Sequence, residues 1–342
     1  MGKTDIRSMY ICEIADWLAV GGFPKFHAKQ IFSWLHQKFV QSFEEMTDLP
    51  KKLRAELEKS FYIVTIKTKK KLASAIDDTI KYLYELPDGE LVESVLMKYH
   101  HGYTVCVSTQ IGCKMGCTFC ASCKNGFVRN LFASEILAQV VAAEQDAGVR
   151  VSNVVMMGMG EPLDNFEASL RFIRLVTAPE GMNIGCRHIS LSTSGVVPNI
   201  YKLADLQLPV TLSVSLHASD DTTRSRIMPV NQKWNIAELL KACRYFLEHN
   251  GRRISFEYAL IHGENDTVRD ADDLAALLKG MLCHVNLIPV NNVHENQYIA
   301  PNKKSILQFQ KRLETRGITA TVRRTLGSDV NASCGQLRNQ NL

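Results

Sequence analysis

Along the first sixty residues the apolar positions recur at three- and four-residue spacing, in ICEIADWLAV (11–20), HAKQIFSWLHQKFV (27–40) and PKKLRAELEKSF (50–61). That period predicts helices, separated by GGFPKF and the TDLP turn. The helical reading is carried to about residue 85, which makes 1–88 a small N-terminal helical module and 89–342 the larger domain. From about residue 90 the pattern turns β-rich, in LVESVLMKY (91–99) and TVCVSTQ (104–110), and then strands alternate with helices. Strands are predicted at 153–157, 187–193, 210–216, 253–261 and 284–290, with Thr104–Ser108 the first of six and ITATVRR (318–324) an additional one. Helices fall between them, for example 134–147 with Ser134 as N-cap and 270–281. Alternating βα units imply an α/β fold with a parallel sheet or barrel whose ligands gather at the carboxyl ends of the strands.

Composition changes this picture little. The chain has 342 residues, 46% of them hydrophobic, and can fill one large core. Its start, MGKTDIRSMY, lacks the apolar run of a signal peptide, and no segment approaches the ~20 apolar residues that span a bilayer. A cytoplasmic protein is expected, so its ten cysteines read as thiols or ligands and not as a disulfide framework. A formal charge of +5 permits a polyanionic partner. The local runs KTKKK (67–71), Lys303 with Lys304, and Arg323 with Arg324 read, taken singly, as solvated faces.

The candidate chemistry begins in GCKMGCTFC, where Cys113, Cys117 and Cys120 are spaced C-x₃-C-x₂-C. Three thiolates on one loop suit an iron–sulfur cluster with one iron left open, whereas four would close it. A structural zinc site is the rival, but no second cysteine pair or Cys/His group lies nearby to complete a tetrahedron. The spacing, with Phe119 before the last cysteine, resembles the radical S-adenosylmethionine (SAM) superfamily. That resemblance implies a [4Fe-4S] cluster, SAM bound at the open iron, and a partial (β/α)6 barrel.

Polar tips follow the apolar strands where such a barrel holds its ligands. They are GMGEP (158–162), the run Ser192-Thr193-Ser194-Gly195, the run Ser215-Leu216-His217, and Asn291. In GMGEP two glycines let backbone approach a ligand, and Glu161 offers a carboxylate to an ammonium. Alone, Ser192 and Asn291 read as turn formers and His217 as a structural histidine.

The strings ESVLMKY, VCVSTQIGCKMGCTFCAS, GFVRNL, VVMMGMGEPLDN, LSTSGVVP, SLHA, NLIPVN and CGQL narrow the match over essentially the whole chain. Together they resemble the RlmN family of adenine carbon-2 methyltransferases of 23S ribosomal RNA and transfer RNA. The resemblance implies Cys113, Cys117 and Cys120 for the cluster, and Gly160, Glu161, Ser192, Ser215, Leu216, His217 and Asn291 for SAM. It also implies Glu93 as proton acceptor, Cys334 as carrier of a methyl group, and Cys106 as the thiol that resolves a protein–RNA adduct by disulfide formation. Two SAM per turnover, a monomer, an RNA-binding N-terminal module and an electron donor such as a flavodoxin or ferredoxin follow from the same resemblance.

Without it, Cys106 in its apolar strand reads as a small hydrophobe and Glu93 as an exposed strand residue. Two rivals are an adenine carbon-8 methyltransferase of the antibiotic-resistance type and a non-catalytic metal-binding RNA-binding protein. Pro162 and NLIPVN lean toward carbon 2. The chain departs from its relatives at Cys123, where they commonly carry Thr, which we read as inert, and at Asn331 and Ser333, where they write Asp-Ala-Ala-Cys.

Overall fold

The computed structural model describes residues 3–291, 298–333 and 335–337. The N-terminal helices form where the period placed them: α1 (Ile11–Val20), α2 (His27–His36) and α3 (Lys51–Ser60). They are bracketed by a short parallel pair, β1 (Thr4–Asp5) with β2 (Phe61–Tyr62). Their apolar stripes (Ile14, Leu18, Ile31, Leu35, Leu53, Leu57) are buried together. Arg7, buried among them, donates to the carbonyls of Val64 (2.6 Å) and Val40 (2.8 Å), which satisfies a charge that could not otherwise be placed there. Arg171 reaches across to Glu13 at 2.7 Å and ties the module to the rest of the chain.

The helical reading up to residue 85 is corrected: helix stops at Ser60. The strands β3 (Lys67–Ala73) and β4 (Ile80–Glu85) follow, paired antiparallel with each other, and β4 pairs with β5 (Leu91–Tyr99). In β4, Tyr82 and Tyr84 take one face and Lys81 and Leu83 the other. Both faces are buried, so no polar alternation betrays the strand. The lysine run is largely exposed on β3, the last strand of the sheet, where charge discourages edge-to-edge pairing.

β6 (Gly102–Cys106) is antiparallel to β5 and begins the parallel part. A small hairpin, β7 (Gln110–Gly112) with β8 (Phe127–Asn130), closes the base of the cysteine loop. Then come α4 (Ala133–Ala147), β9 (Val151–Met156), α5 (Phe166–Thr177), β10 (Ile189–Thr193), α6 (Val197–Asp205) and β11 (Thr211–Ser215). The chain continues through α7 (Asp221–Ile227), α8 (Ile236–Asn250), β12 (Ile254–Leu260), α9 (Val268–Leu278), β13 (Cys283–Pro289), α10 (Lys303–Thr315) and β14 (Ala320–Val322). Among the described residues one ten-stranded sheet runs β14-β13-β12-β11-β10-β9-β6-β5-β4-β3. Strands β6 and β9 to β13 are the six expected parallel strands, each leading to a helix, and β14 adds the seventh.

Ser134 is not the N-cap of α4. The cap is Phe132, whose backbone N–H donates to the Glu135 carboxylate at 2.8 Å, while the Ser134 N–H is met by Ser8 Oγ. No helix among the described residues is long and apolar enough to cross a membrane.

Candidate active site at the strand ends

The cysteine loop is set by its neighbours before any ligand arrives. Gly112 has φ +72°, and a Cβ there would lie 1.8 Å from the Gly126 carbonyl oxygen, so only glycine lets the two sides of the hairpin close. Thr118 N–H donates to the Ile227 carbonyl (3.0 Å) and Ala121 N–H to that of Gly335 (2.7 Å). The loop is therefore clamped between the end of α7 and the C-terminal segment. Cys113, Cys117 and Cys120 line one cavity of about 970 Å³, measured out to its open mouth. Cys123 lines it too and hydrogen-bonds to all three, which, ahead of burial, pushes their thiols upward. The same bonds push the Cys123 thiol down.

The opposite wall is built from the tips of β9, β10, β11 and β13. Gly160, Glu161, Ser192, Ser215, His217 and Asn291 all line the cavity. Leu216 differs: its side chain is fully buried in the core, and only its main chain faces outward work, donating to Glu257 and accepting from Arg224. The glycines of GMGEP also serve another purpose than the expected approach to a ligand. A Cβ on Gly158 would lie 2.6 Å from Ser108 Oγ, and one on Gly160 2.6 Å from Gln110 Cβ. They let the end of β9 lie against the start of the cysteine loop.

Glu161 is 3% exposed, and its carboxylate accepts from the backbone N–H groups of Leu163 (3.0 Å) and Ser194 (2.6 Å). Burial raises its pKa despite those bonds. No lysine or arginine among the described residues pairs with it, so this buried carboxylate borders the cavity without a cation partner of its own. That is the environment an ammonium group fits. His217 has φ +58°, and its Nδ1 accepts from Ala259 N–H at 2.8 Å while its ring meets Phe119 edge-on at 4.9 Å. Burial pushes its pKa down to about 3, so it is a neutral imidazole with its proton on Nε2.

Sequence reading missed Arg224, a fully buried guanidinium whose donors go to the carbonyls of Ser194, Ser215 and Leu216 and to Asn231 Oδ1. It also missed Glu257, Arg323 and Met157, which line the cavity. A charged residue inside a short amphipathic helix carries no signal that it points inward.

Glu93 does not line this cavity. Far from exposed, it is 1% exposed on β5 and paired with Lys81 at 3.0 Å. Cys106 ends β6, buried. Cys334 lies outside the described residues, but its neighbours are fixed: Gly335 lines the cavity, and Ser333 Oγ donates to the Leu326 carbonyl.

Comparison with known proteins agrees with this geometry. Residues 107–276 match the radical SAM superfamily, and residues 4–63 match the ribosomal RNA large subunit methyltransferase N-terminal domain. A protein of Alkaliphilus oremlandii described as a probable dual-specificity RNA methyltransferase RlmN is 54% identical over 342 residues, covering 100% of this chain and 99% of its own. One of Clostridium perfringens with the same description is 52% identical over 326 residues, covering 95% and 94%. The crystal structure of a radical SAM methyltransferase from Sphaerobacter thermophilus, 44% identical, superposes with a TM-score of 0.94 over 98% of this chain and 100% of its own. The cofactors of that superfamily, SAM and a [4Fe-4S] cluster, suit a cavity that sets three cysteines opposite an uncompensated carboxylate, and the chain belongs to the RlmN family of radical SAM RNA methyltransferases.

Proposed function

We propose that this enzyme methylates carbon 2 of an adenine in 23S ribosomal RNA and in transfer RNA. The observation that supports this most is the cavity in which the three cysteines, Glu161 and the strand-end serines converge. Carbon 2 of adenine lies between two ring nitrogens and is too electron-poor to attack a methyl cation equivalent, so a radical route is required. When bound, the cluster and SAM supply a methyl group and a one-electron path to a carbon-centred radical. Cys113, Cys117 and Cys120 would hold the cluster and Glu161 would take the SAM ammonium; Gly160, Ser192, Ser215, His217, Asn291 and the Leu216 main chain would shape the rest of the pocket.

The further roles belong to the chain itself. Cys334 would carry the methyl as a thioether; loss of one hydrogen atom from that methyl to the SAM-derived radical would let its carbon bond to carbon 2, and the adduct would then return one electron to the cluster. Glu93 accepts the carbon-2 proton. Cys106 thiolate attacks the Cys334 sulfur, the sulfur–carbon bond breaks, and the released carbon takes a proton to become the product methyl. A Cys106–Cys334 disulfide remains and must be reduced before the next turnover. The chemistry would draw on two SAM, one as the methyl source for Cys334 and one as the source of the radical. The target base must leave its stack to enter. We assign 1–88 to RNA binding and 89–342 to catalysis, in a cytoplasmic monomer fed by a flavodoxin- or ferredoxin-type electron donor.

Mass spectrometry of nucleosides from RNA incubated with the enzyme, reductant and SAM tests the reading. The expected product is 2-methyladenosine. An 8-methyladenosine product would move the reaction to carbon 8, and RNA binding with no 5′-deoxyadenosine formed would make the chain a non-catalytic binder.

A further inference from the structure

Lys81 is among the more deeply buried lysines a fold can hold: its side chain is 3% exposed, and its Nζ lies 3.0 Å from Glu93 Oε1. The same ammonium donates to the Asn331 carbonyl at 3.2 Å. Lys81 stands opposite Val95, and Val95 opposite Cys106. Because side chains alternate along a strand, Lys81, Glu93 and Cys106 project from the same face of three adjacent strands. Burying a lysine is costly without a charge partner and acceptors, and an aliphatic side chain would fill the space at less expense. Something other than packing accounts for it.

The contact with the Asn331 carbonyl points to what that is. The segment Gly327–Asn331 is seated on the turn between β3 and β4: Gly327 N–H donates to Asp77 (3.0 Å), and Asp329 accepts from Ser74 Oγ (2.7 Å) and Ala75 N–H (2.8 Å). Asn331, at φ +50° in the left-handed region that Asn tolerates, turns its carbonyl to Lys81 three residues before Cys334.

We propose that Lys81 is a positioning residue, whose one ammonium aims the Glu93 carboxylate and fixes the start of the segment carrying Cys334. It sets the proton acceptor and the methyl carrier relative to each other. The proposal rests on the roles given above to Glu93 and Cys334. Lys81→Met leaves the cluster cysteines and the SAM wall untouched, so iron content and SAM binding stay at wild-type level. Product release needs the carbon-2 proton to be removed, so 2-methyladenosine formation is expected to fall about 100-fold, the size of a lost general base. RNA bound covalently to the protein should accumulate. Lys81→Arg restores an ion pair and a donor and is expected to recover most of the loss.

A role in folding alone would instead lower iron content and product together without any adduct, and Lys81→Met/Glu93→Gln, which removes both charges, would then regain iron; that result overturns the proposal. So does wild-type turnover by Lys81→Met while Glu93→Gln is inactive. Full activity of Glu93→Gln shows that the role given to Glu93 is itself wrong.

Discussion

The guanidinium of Arg224 donates to the Ser194 carbonyl at 2.7 Å and, from the same nitrogen, to the Ser215 carbonyl at 3.0 Å. One buried cation thereby holds the ends of β10 and β11, and with them the serines that face the cavity, in fixed register. Its pKa is lowered by burial to about 10, still far above neutrality, so the charge persists.

Arg224→Lys keeps the charge but not the fork. It is expected to lose about 3 kcal/mol of stability, the sum of two or so charge-assisted hydrogen bonds. SAM affinity should fall roughly tenfold because the serines lose their register. Urea unfolding and calorimetric titration measure the two effects.

Glu161→Gln removes the buried carboxylate while keeping its shape, and SAM binding should weaken by about 1.5–3 kcal/mol, the value of a hydrogen bond to a charged group. A second consequence follows from the direction of its shift. Burial raises the Glu161 pKa, so the carboxylate that pairs with an ammonium is lost at a higher pH than an ordinary glutamate would be. Affinity for SAM should decline as pH falls through that raised range, and the decline should disappear in Glu161→Gln. In the free protein the sign is opposite: a raised carboxyl pKa contributes stability at low pH that is lost as pH rises through it.

Cys123 shares the cavity with the three cluster cysteines, yet Cys123→Thr is expected to retain about four irons per chain, in keeping with a three-thiolate cubane. Alanine at Cys113, Cys117 or Cys120 should abolish the iron. Loss of iron on replacing Cys123 would make it a ligand.

Cys106→Ala should still methylate Cys334 and attack RNA, but protein and RNA should then co-purify, because a thioether without an attacking thiolate has no leaving path. A denaturing gel with and without ribonuclease reads the result. A normal enzyme giving one ribonuclease-insensitive band would reduce Cys106 to a buried hydrophobe.

Two histidines give an acid signature. Burial lowers both His217 and His36 to about 3. A depressed histidine contributes stability above its unfolded pKa of about 6.5 that is lost as pH falls toward the folded value. Between pH 6.5 and 5 each should cost about 2 kcal/mol. The urea midpoint should drop over that range, and His36→Gln should flatten the drop by about half, since it leaves the His217 contribution in place.

The sequence by itself determined the helices up to Ser60, the six parallel strands, the cysteine loop and the polar tips beyond the strands. Each of these is written locally, as a period, a spacing or a residue at the end of an apolar run. What tertiary structure decided was which side chains meet. The strands of 67–85 were hidden because both faces of β4 are buried, and periodicity then has no polar side to show. Arg224 and Lys81 were hidden for a related reason: a charge inside a helix or strand reads as solvent-facing until packing places carbonyls around it. Glycines 158 and 160 were legible as close approaches; that they also lie against the chain's own Val107–Gln110 segment is a contact set by strand order that no single segment encodes.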